Sequence, residues 1–291
     1  MTSLGAVFRP QLPPERLRGV VRAADEAGLD ELWLWEDCFL ESGVATAAAA
    51  LAWSEHLRVG IGLLPVPLRN VALTAMEAAT LHRLFPGRAA IAVGHGVQDW
   101  MGQVGARAES PLTLLREHLE ALRALLRGER VDTEGRYVRL SGVALDWPPA
   151  TPVPVLAGGQ GPRTLRLTGE AADGTVLDAD MTPGALPEAR RLIDEGRRAA
   201  GRPGRADVVV YLHAATGPDA RDRLAAELDA WGGPRAEDHG AAGDAETVAG
   251  AVRRLAAAGA DTVVLQPTAD EPDPEGFVRF VAEEVRPLVP R

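Results

Sequence analysis

The chain has 291 residues, of which 46% are hydrophobic and 25% charged; that is enough apolar content for a large core, and no apolar run approaches the roughly 18–20 residues of a membrane span. A net charge of −10 and a pI near 5.2 offer no counter-charge to nucleic acid or to an anionic membrane, so neither is expected as a partner. The lone Cys38 excludes an intrachain disulfide, an all-cysteine zinc site and an iron–sulfur cluster, and because all 31 basic residues are arginine, Schiff-base, pyridoxal-phosphate and P-loop chemistry are removed as well.

In chain order, Leu4–Phe8 predicts a first strand. Pro13 and Pro14 suit a helix start, and Leu17, Val20, Val21 and Ala24 follow at helical spacing up to Gly28. Glu31–Glu36 is a predicted strand, Val44–Glu55 a helix, Leu57–Leu64 a strand, Val71–Phe85 a helix and Ala89–Gly94 the fourth strand. Leu115, Leu119, Leu122 and Leu126 then share one face of a long helix that ends before Gly128. Glu134-Gly135, between Arg130-Val131 and Tyr137-Val138, reads as a small inserted hairpin. Alternation resumes with strand Val153–Ala157, helix Pro162–Ala172, strand Thr175–Asp178, helix Ala185–Ala200, strand Asp207–His213 and helix Ala220–Trp231. Gly232–Gly243 is a predicted loop, followed by helix Ala245–Ala258, strand Thr262–Gln266 and helix Pro274–Val285.

Eight strands separated by helices predict an α/β fold: a closed (β/α)8 TIM barrel with a small hairpin inserted after the fourth helix. No linker divides the chain, so one domain over residues 1–291 is expected. The N-terminal residues lack a basic region before a long apolar stretch, so no signal peptide is expected and the default location is cytoplasmic.

The six histidines include no HxH or HExxH pair, and neither a G-x-S-x-G elbow nor a complete G-x-G-x-x-G is present; no metal site is expected. In a barrel of this kind chemistry sits at the C-terminal ends of the strands. There Gly158, Gly159 and Gly161 allow close approach of a ligand, Gln160 lies among them, Pro162 opens a helix suited to an anion, and Arg163 offers a bidentate clamp. The same loop is equally readable as a tight turn needing positive φ. His95, between Gly94 and Gly96, is placed to hydrogen-bond a ligand or shuttle a proton, the alternative being a histidine satisfied by backbone. Of Glu36 and Asp37 only one can face the mouth, as a general acid or base, or else as a helix cap or arginine partner. Cys38 is a reactive thiol or a small buried side chain; Trp35 and Trp100 are placed to stack on a planar ring, and Phe8 ends the first strand. His82 and His118 lie within amphipathic helices as structural or solvated residues, and His213 can point either way.

These residues resemble the bacterial-luciferase-like superfamily, and within it the branch dependent on the deazaflavin F420. The resemblance rests on Gly28-Leu29-Asp30-Glu31-Leu32-Trp33-Leu34-Trp35-Glu36-Asp37; on Arg58-Val59-Gly60-Ile61-Gly62-Leu63-Leu64-Pro65 with Leu84-Phe85-Pro86-Gly87-Arg88 and Ala92-Val93-Gly94-His95-Gly96; and on Ala157-Gly158-Gly159 with Ala171-Ala172-Asp173-Gly174. It implies F420, or alternatively FMN, at the barrel mouth, with a bulge and non-prolyl cis peptide at Gly62–Leu63 backing the ring. It further implies phosphate at Gly158–Gly161, with Gly94, His95 and Gly96 near the ring or substrate. Catalysis would fall to Asp37 or His95, and Phe8, Trp35 and Trp100 would contact the substrate. The implied activity is hydride transfer between reduced deazaflavin and a small organic substrate, in a homodimer; an FMN-dependent monooxygenase and a non-catalytic flavin-binding barrel are the alternatives. The chain departs from the family where members often carry Asp-His after strand two, here Glu36-Asp37 or Asp37-Cys38. It departs again at Val97, where some F420 dehydrogenases have Glu, and at Asp178 and Asp180, where some members have Lys.

Overall fold

The alternating strands and helices form a closed parallel barrel in a computed structural model that describes residues 2–231 and 237–290. The elements are β1 (Ser3–Val7), α1 (Leu17–Glu26), β2 (Glu31–Leu34), α2 (Gly43–Trp53), β3 (Arg58–Pro65), α3 (Val71–Leu84), β4 (Ala89–Gly94), α4 (Gln98–Gln103) and α5 (Pro111–Leu126). A two-stranded antiparallel hairpin follows, β5 (Val131–Glu134) and β6 (Arg139–Val143). The chain continues through β7 (Val155–Gly158), α6 (Pro162–Ala171), β8 (Gly174–Leu177), α7 (Leu186–Ala199), β9 (Asp207–Ala215), α8 (Ala220–Ala230), β10 (Gly240–Ala242), α9 (Ala245–Ala258), β11 (Thr262–Pro267) and α10 (Pro274–Arg279). Around the barrel the order is β1-β2-β3-β4-β7-β8-β9-β11, closing by parallel pairing of β11 with β1.

Three predicted features change. The helix after β4 is preceded by a separate short helix, α4. The predicted loop 232–243 contains a strand: β10 pairs in parallel with His213–Ala215 of β9, while 232–236 lie outside the described residues. Because β11 takes the other edge of β9, β10 lies on the same edge as β8, which pairs with Asp207–Val210. Helix α8 therefore belongs to an insertion at the mouth, and α9 is the helix that returns the chain to β11. The last helix passes from α10 into a π-helical stretch, Phe280–Val285. Among the described residues no helix is long and apolar enough to cross a membrane.

Strand alternation divides the core into two layers. Side chains facing the barrel axis include Val7, Trp33, Leu156, Val209, Tyr211 and Val264. The opposite parity, with Leu4, Ala6 and Phe8, packs against helix faces such as Leu17, Val20 and Val21 of α1. Phe8 is therefore core, only 1% exposed, and the expectation that it contacts substrate is corrected: Val7, not Phe8, has the inward parity.

Trp33 fills the axis, its indole Nε1 donating to Glu31 Oε2 (2.8 Å). Three strand glycines make room for it. A Cβ on Gly60 would lie 2.4 Å from the indole, and one on Gly5 or Gly62 about as close as 3.1 or 3.0 Å. A buried indole cannot give way in a close-packed interior. Gly60→Ala is accordingly expected to cost roughly 1–3 kcal/mol of stability by overpacking, read as a lower denaturant midpoint at unchanged slope; an unchanged midpoint would show that the barrel axis has slack.

Candidate active site

The C-terminal ends of the strands surround a cavity of about 500 Å³, within the usual range for small-molecule sites. Its floor is set by β3. Between Ile61 and Leu64 the register to β4 slips by one residue, a bulge that occupies Gly62–Leu63, and the Gly62–Leu63 peptide is cis, as is Cys38–Phe39. The Leu63 side chain seats between two glycines: a Cβ would reach it at 2.5 Å from Gly94 and 2.3 Å from Gly158. Gly94 thus admits Leu63 and does not itself line the cavity, which corrects its expected cofactor contact. Tyr211 on β9 closes the floor, its Oη donating to the Gly62 carbonyl (3.3 Å). Burial pushes its phenol pKa far above the ordinary value, so it is a neutral wall.

The glycine loop after β7 lines the cavity through Gly158, Gly159, Gln160 and Gly161. None of its glycines has positive φ, so the tight-turn reading does not hold. Gly159 instead makes room for Thr164, whose Cγ2 would lie 2.2 Å from a Cβ, whereas nothing stands within 4 Å of a Cβ on Gly161. Gly161 is the N-cap of α6 (φ −71°, ψ 151°), and no side chain caps the helix; its first N–H groups are left for solvent or a ligand. Arg163 is exposed, makes no ion pair among the described residues and does not line the cavity.

His95 lines the cavity with its Nε2 3.2 Å from Thr164 Oγ1. Burial lowers its pKa; the Pro111 carbonyl opposes the shift without forming a bond of standard geometry to the buried Nδ1. The ring is therefore neutral at pH 7. Gly96, at φ +67°, turns the chain away in a conformation that favours glycine.

After β2 the two acids part. Glu36 accepts from Gly43 N (2.9 Å) at the start of α2, and Arg69 grips it through Nη2 (2.7 Å) and Nε (3.1 Å). It is the helix cap and arginine partner. Asp37 faces the cavity and accepts from Trp35 Nε1 (3.1 Å). Burial raises its pKa, against the Trp35 hydrogen bond and the charge of Arg9. Cys38 does not line the cavity, and burial, Glu36 and Asp37 all raise its thiol pKa, so a reactive thiolate is not favoured.

Asp178, after β8, also lines the cavity and accepts from Gln160 Nε2. Its carboxyl is pushed up to about 6 by desolvation and by the neighbouring Asp180. Trp100 lines the wall as expected, and so do residues that were not among the expected contacts: Pro65, Val97, Thr164, Val176, Tyr211, Trp231 and Gln266. Tyr211 had a legible signal, since it shares the inward parity of Val209. Gln266 had one as well, as the last residue of a predicted strand, whereas Trp231 had none, because it depends on where α8 meets the mouth. His213 has the same parity as Tyr211, is buried and does not line the cavity, its Nδ1 accepting from Gln266 Nε2 (3.4 Å). His82 and His118 are buried on α3 and α5, as expected of structural residues, and burial lowers the His118 pKa to about 4.

A sequence profile of the luciferase-like monooxygenase family matches residues 3–271. The chain belongs to that family. Its curated relatives include a 5,10-methylenetetrahydromethanopterin reductase of Methanolobus tindarius, 31% identical over 72% of this chain and 64% of the relative. An F420-dependent glucose-6-phosphate dehydrogenase of Nocardia farcinica is 31% identical over 66% of this chain and 62% of the relative. In both, the chain covers slightly less than two thirds of the relative's length. Among solved structures, an F420-dependent secondary alcohol dehydrogenase in complex with an F420-acetone adduct superposes with a TM-score of 0.87 at 22% identity, covering 100% of this chain and 99% of that one. At this identity it shows the shared family fold.

Proposed function

We propose that this family member is an F420-dependent oxidoreductase that moves a hydride between the deazaflavin and a small organic substrate. The observation that carries the reading is the pairing, in one cavity, of the apolar Gly62–Leu63 bulge with the uncapped N-terminus of α6. A cofactor with a flat ring and a phosphate-bearing tail needs both. The F420 dependence named for relatives of this chain supports the choice of deazaflavin over FMN. The residues fit such a group: Leu63, Val176 and Tyr211 give an apolar seat, and the Gly161 position is open where a phosphate would meet the α6 N–H groups.

When bound, F420 supplies or accepts a hydride at its ring carbon C5. The accompanying proton falls to Asp37 or His95. Asp37 is suited to hold one, because burial favours its neutral form and Trp35 fixes its orientation. His95 is suited to receive one, because its imidazole is neutral and anchored to Thr164. Leu63 and the aromatic walls exclude water from the cavity floor.

The reading is tested by mixing protein and reduced F420 with a panel of carbonyl and conjugated substrates without oxygen. Turnover without oxygen is expected; strict dependence on oxygen would point to a monooxygenase. In the same assay His95→Ala is expected to lower turnover by roughly 10²-fold with F420 affinity nearly unchanged; unchanged turnover would remove its role.

Asp178 adds a pH dependence. Its carboxyl ionises through about 6 and then opposes an anionic tail bound beside Gln160. F420 affinity is therefore expected to fall as pH rises through about 6, and Asp178→Asn to flatten the profile. A wild-type affinity that does not change over this range would place the anion away from Asp178.

A further inference from the structure

Three of the chain's six tryptophans line this one cavity: Trp35, Trp100 and Trp231. They are not spread evenly. In the strand order, β2 and β11 flank β1 and face the β7 glycine loop across the barrel. Trp35 follows β2, and Trp231 ends α8, which is fastened through Glu227 to Arg9 after β1 and to Ala269 after β11. The cavity thus has a glycine wall and, across from it, an indole wall.

The two indoles of that wall are anchored alike, at the ring nitrogen. Trp35 Nε1 donates to Asp37, and its ring has the Arg9 guanidinium 5.9 Å from its centroid and Tyr211 edge-on at 6.0 Å. Trp231 Nε1 donates to Glu227 Oε1 (2.8 Å). Glu227 is held in turn by buried Arg9 and by the Ala269 N–H (2.8 Å). Arg9 therefore ties both indoles to one buried network. Trp231 remains 56% exposed despite this anchorage. An open indole face held at its nitrogen is a surface on which a planar group can stack.

Charge narrows the occupant. Among the described residues that line the cavity there is no arginine; its charged groups are carboxylates, of which Glu36 is neutralised by Arg69 while Asp37 and Asp178 have no cation bound to them. The described residues that line the cavity offer an anionic substrate no cationic side chain to pair with.

We propose that the half of the cavity walled by Trp35 and Trp231 binds a planar aromatic or conjugated substrate that carries no anionic group. This assignment rests on the oxidoreductase reading for its substrate role, but its binding selectivity is measurable without turnover. The experiment is equilibrium dialysis of three matched probes against the protein, with and without F420: neutral planar 2-naphthol, anionic planar 2-naphthoate, and neutral saturated decahydro-2-naphthol. F420 binding is scored separately by fluorescence. At least roughly tenfold preference for 2-naphthol over both others is expected. Trp231→Ala should weaken 2-naphthol roughly fivefold to tenfold and leave F420 affinity unchanged, and Trp231→Phe should restore most of the loss.

Equal binding of the three probes, tighter binding of 2-naphthoate, or no response to Trp231→Ala would overturn the assignment. If 2-naphthol is selected but F420 does not bind, the substrate wall stands and the cofactor reading falls. If F420 binds and no selectivity appears, the substrate wall falls alone.

Discussion

Gly161→Asp is expected to reduce F420 affinity by roughly a hundredfold or more while leaving the protein as stable as before. The position is permissive: its backbone is extended, φ is −71°, and a Cβ meets nothing within 4 Å. Aspartate is also a favoured N-cap residue, able to accept from the free N–H groups of the first helical turn. It would fill the anion site with its own carboxylate and add like charge beside it. A hundredfold loss corresponds to about 2.7 kcal/mol, which the removal of a charge-assisted hydrogen bond and the added repulsion together can supply. The same change at Gly159 would be a poor probe, because its Cβ would collide with Thr164 and disturb the loop itself. Fluorescence titration together with a thermal melt reads both quantities. Unchanged affinity in a folded variant would mean that the anionic tail lies elsewhere.

Arg9→Met is expected to destabilise the fold by about 3–5 kcal/mol, because it strands a buried carboxylate. The side chains of Arg9 and Glu227 are only 3% and 6% exposed. Burial alone would push the Glu227 carboxyl up, but hydrogen bonds from Arg9, Ala269 and Trp231 and the charge of Arg9 carry it below the ordinary 4.5. A depressed carboxyl contributes stability that is present above the unfolded value and lost as pH falls through the folded one. The wild type should therefore lose part of this contribution below about pH 4.5. The double variant Arg9→Met/Glu227→Met, which removes both charges, should recover most of the loss. Chemical denaturation of the two variants decides it. If Arg9→Met is as stable as wild type, the network does not hold α8 to the mouth, and Trp231 is not anchored through it.

What the sequence made legible follows from how each feature is encoded. The barrel is written in local patterns: apolar strands such as Thr262–Leu265, amphipathic helices, and the near repeat of Ala27-Gly28-Leu29-Asp30 in Ala258-Gly259-Ala260-Asp261. The bulge at Gly62–Leu63 was implied by the family resemblance and is present, and the cavity-facing positions of His95, Trp35 and the 158–161 loop follow from strand ends. The reasons for the glycines were less legible. Gly94 and Gly158 serve Leu63, and Gly159 serves Thr164, contacts that depend on the folded loop and on elements distant in sequence. Phe8 failed because a strand end has two parities, and β1 turns Val7 inward. Arg163, expected from the same loop, does not line the cavity. The split between Glu36 and Asp37 was set by Arg69, 33 residues away, which no local pattern reveals.

Cofactor identity is decided by titrating the purified protein with oxidised F420 and, separately, with FMN, followed by ligand fluorescence polarisation. Saturable F420 binding is expected, competed by excess unlabelled cofactor, with FMN at least roughly tenfold weaker. Tighter FMN binding, or binding of neither, would contradict the assignment of this barrel to deazaflavin chemistry.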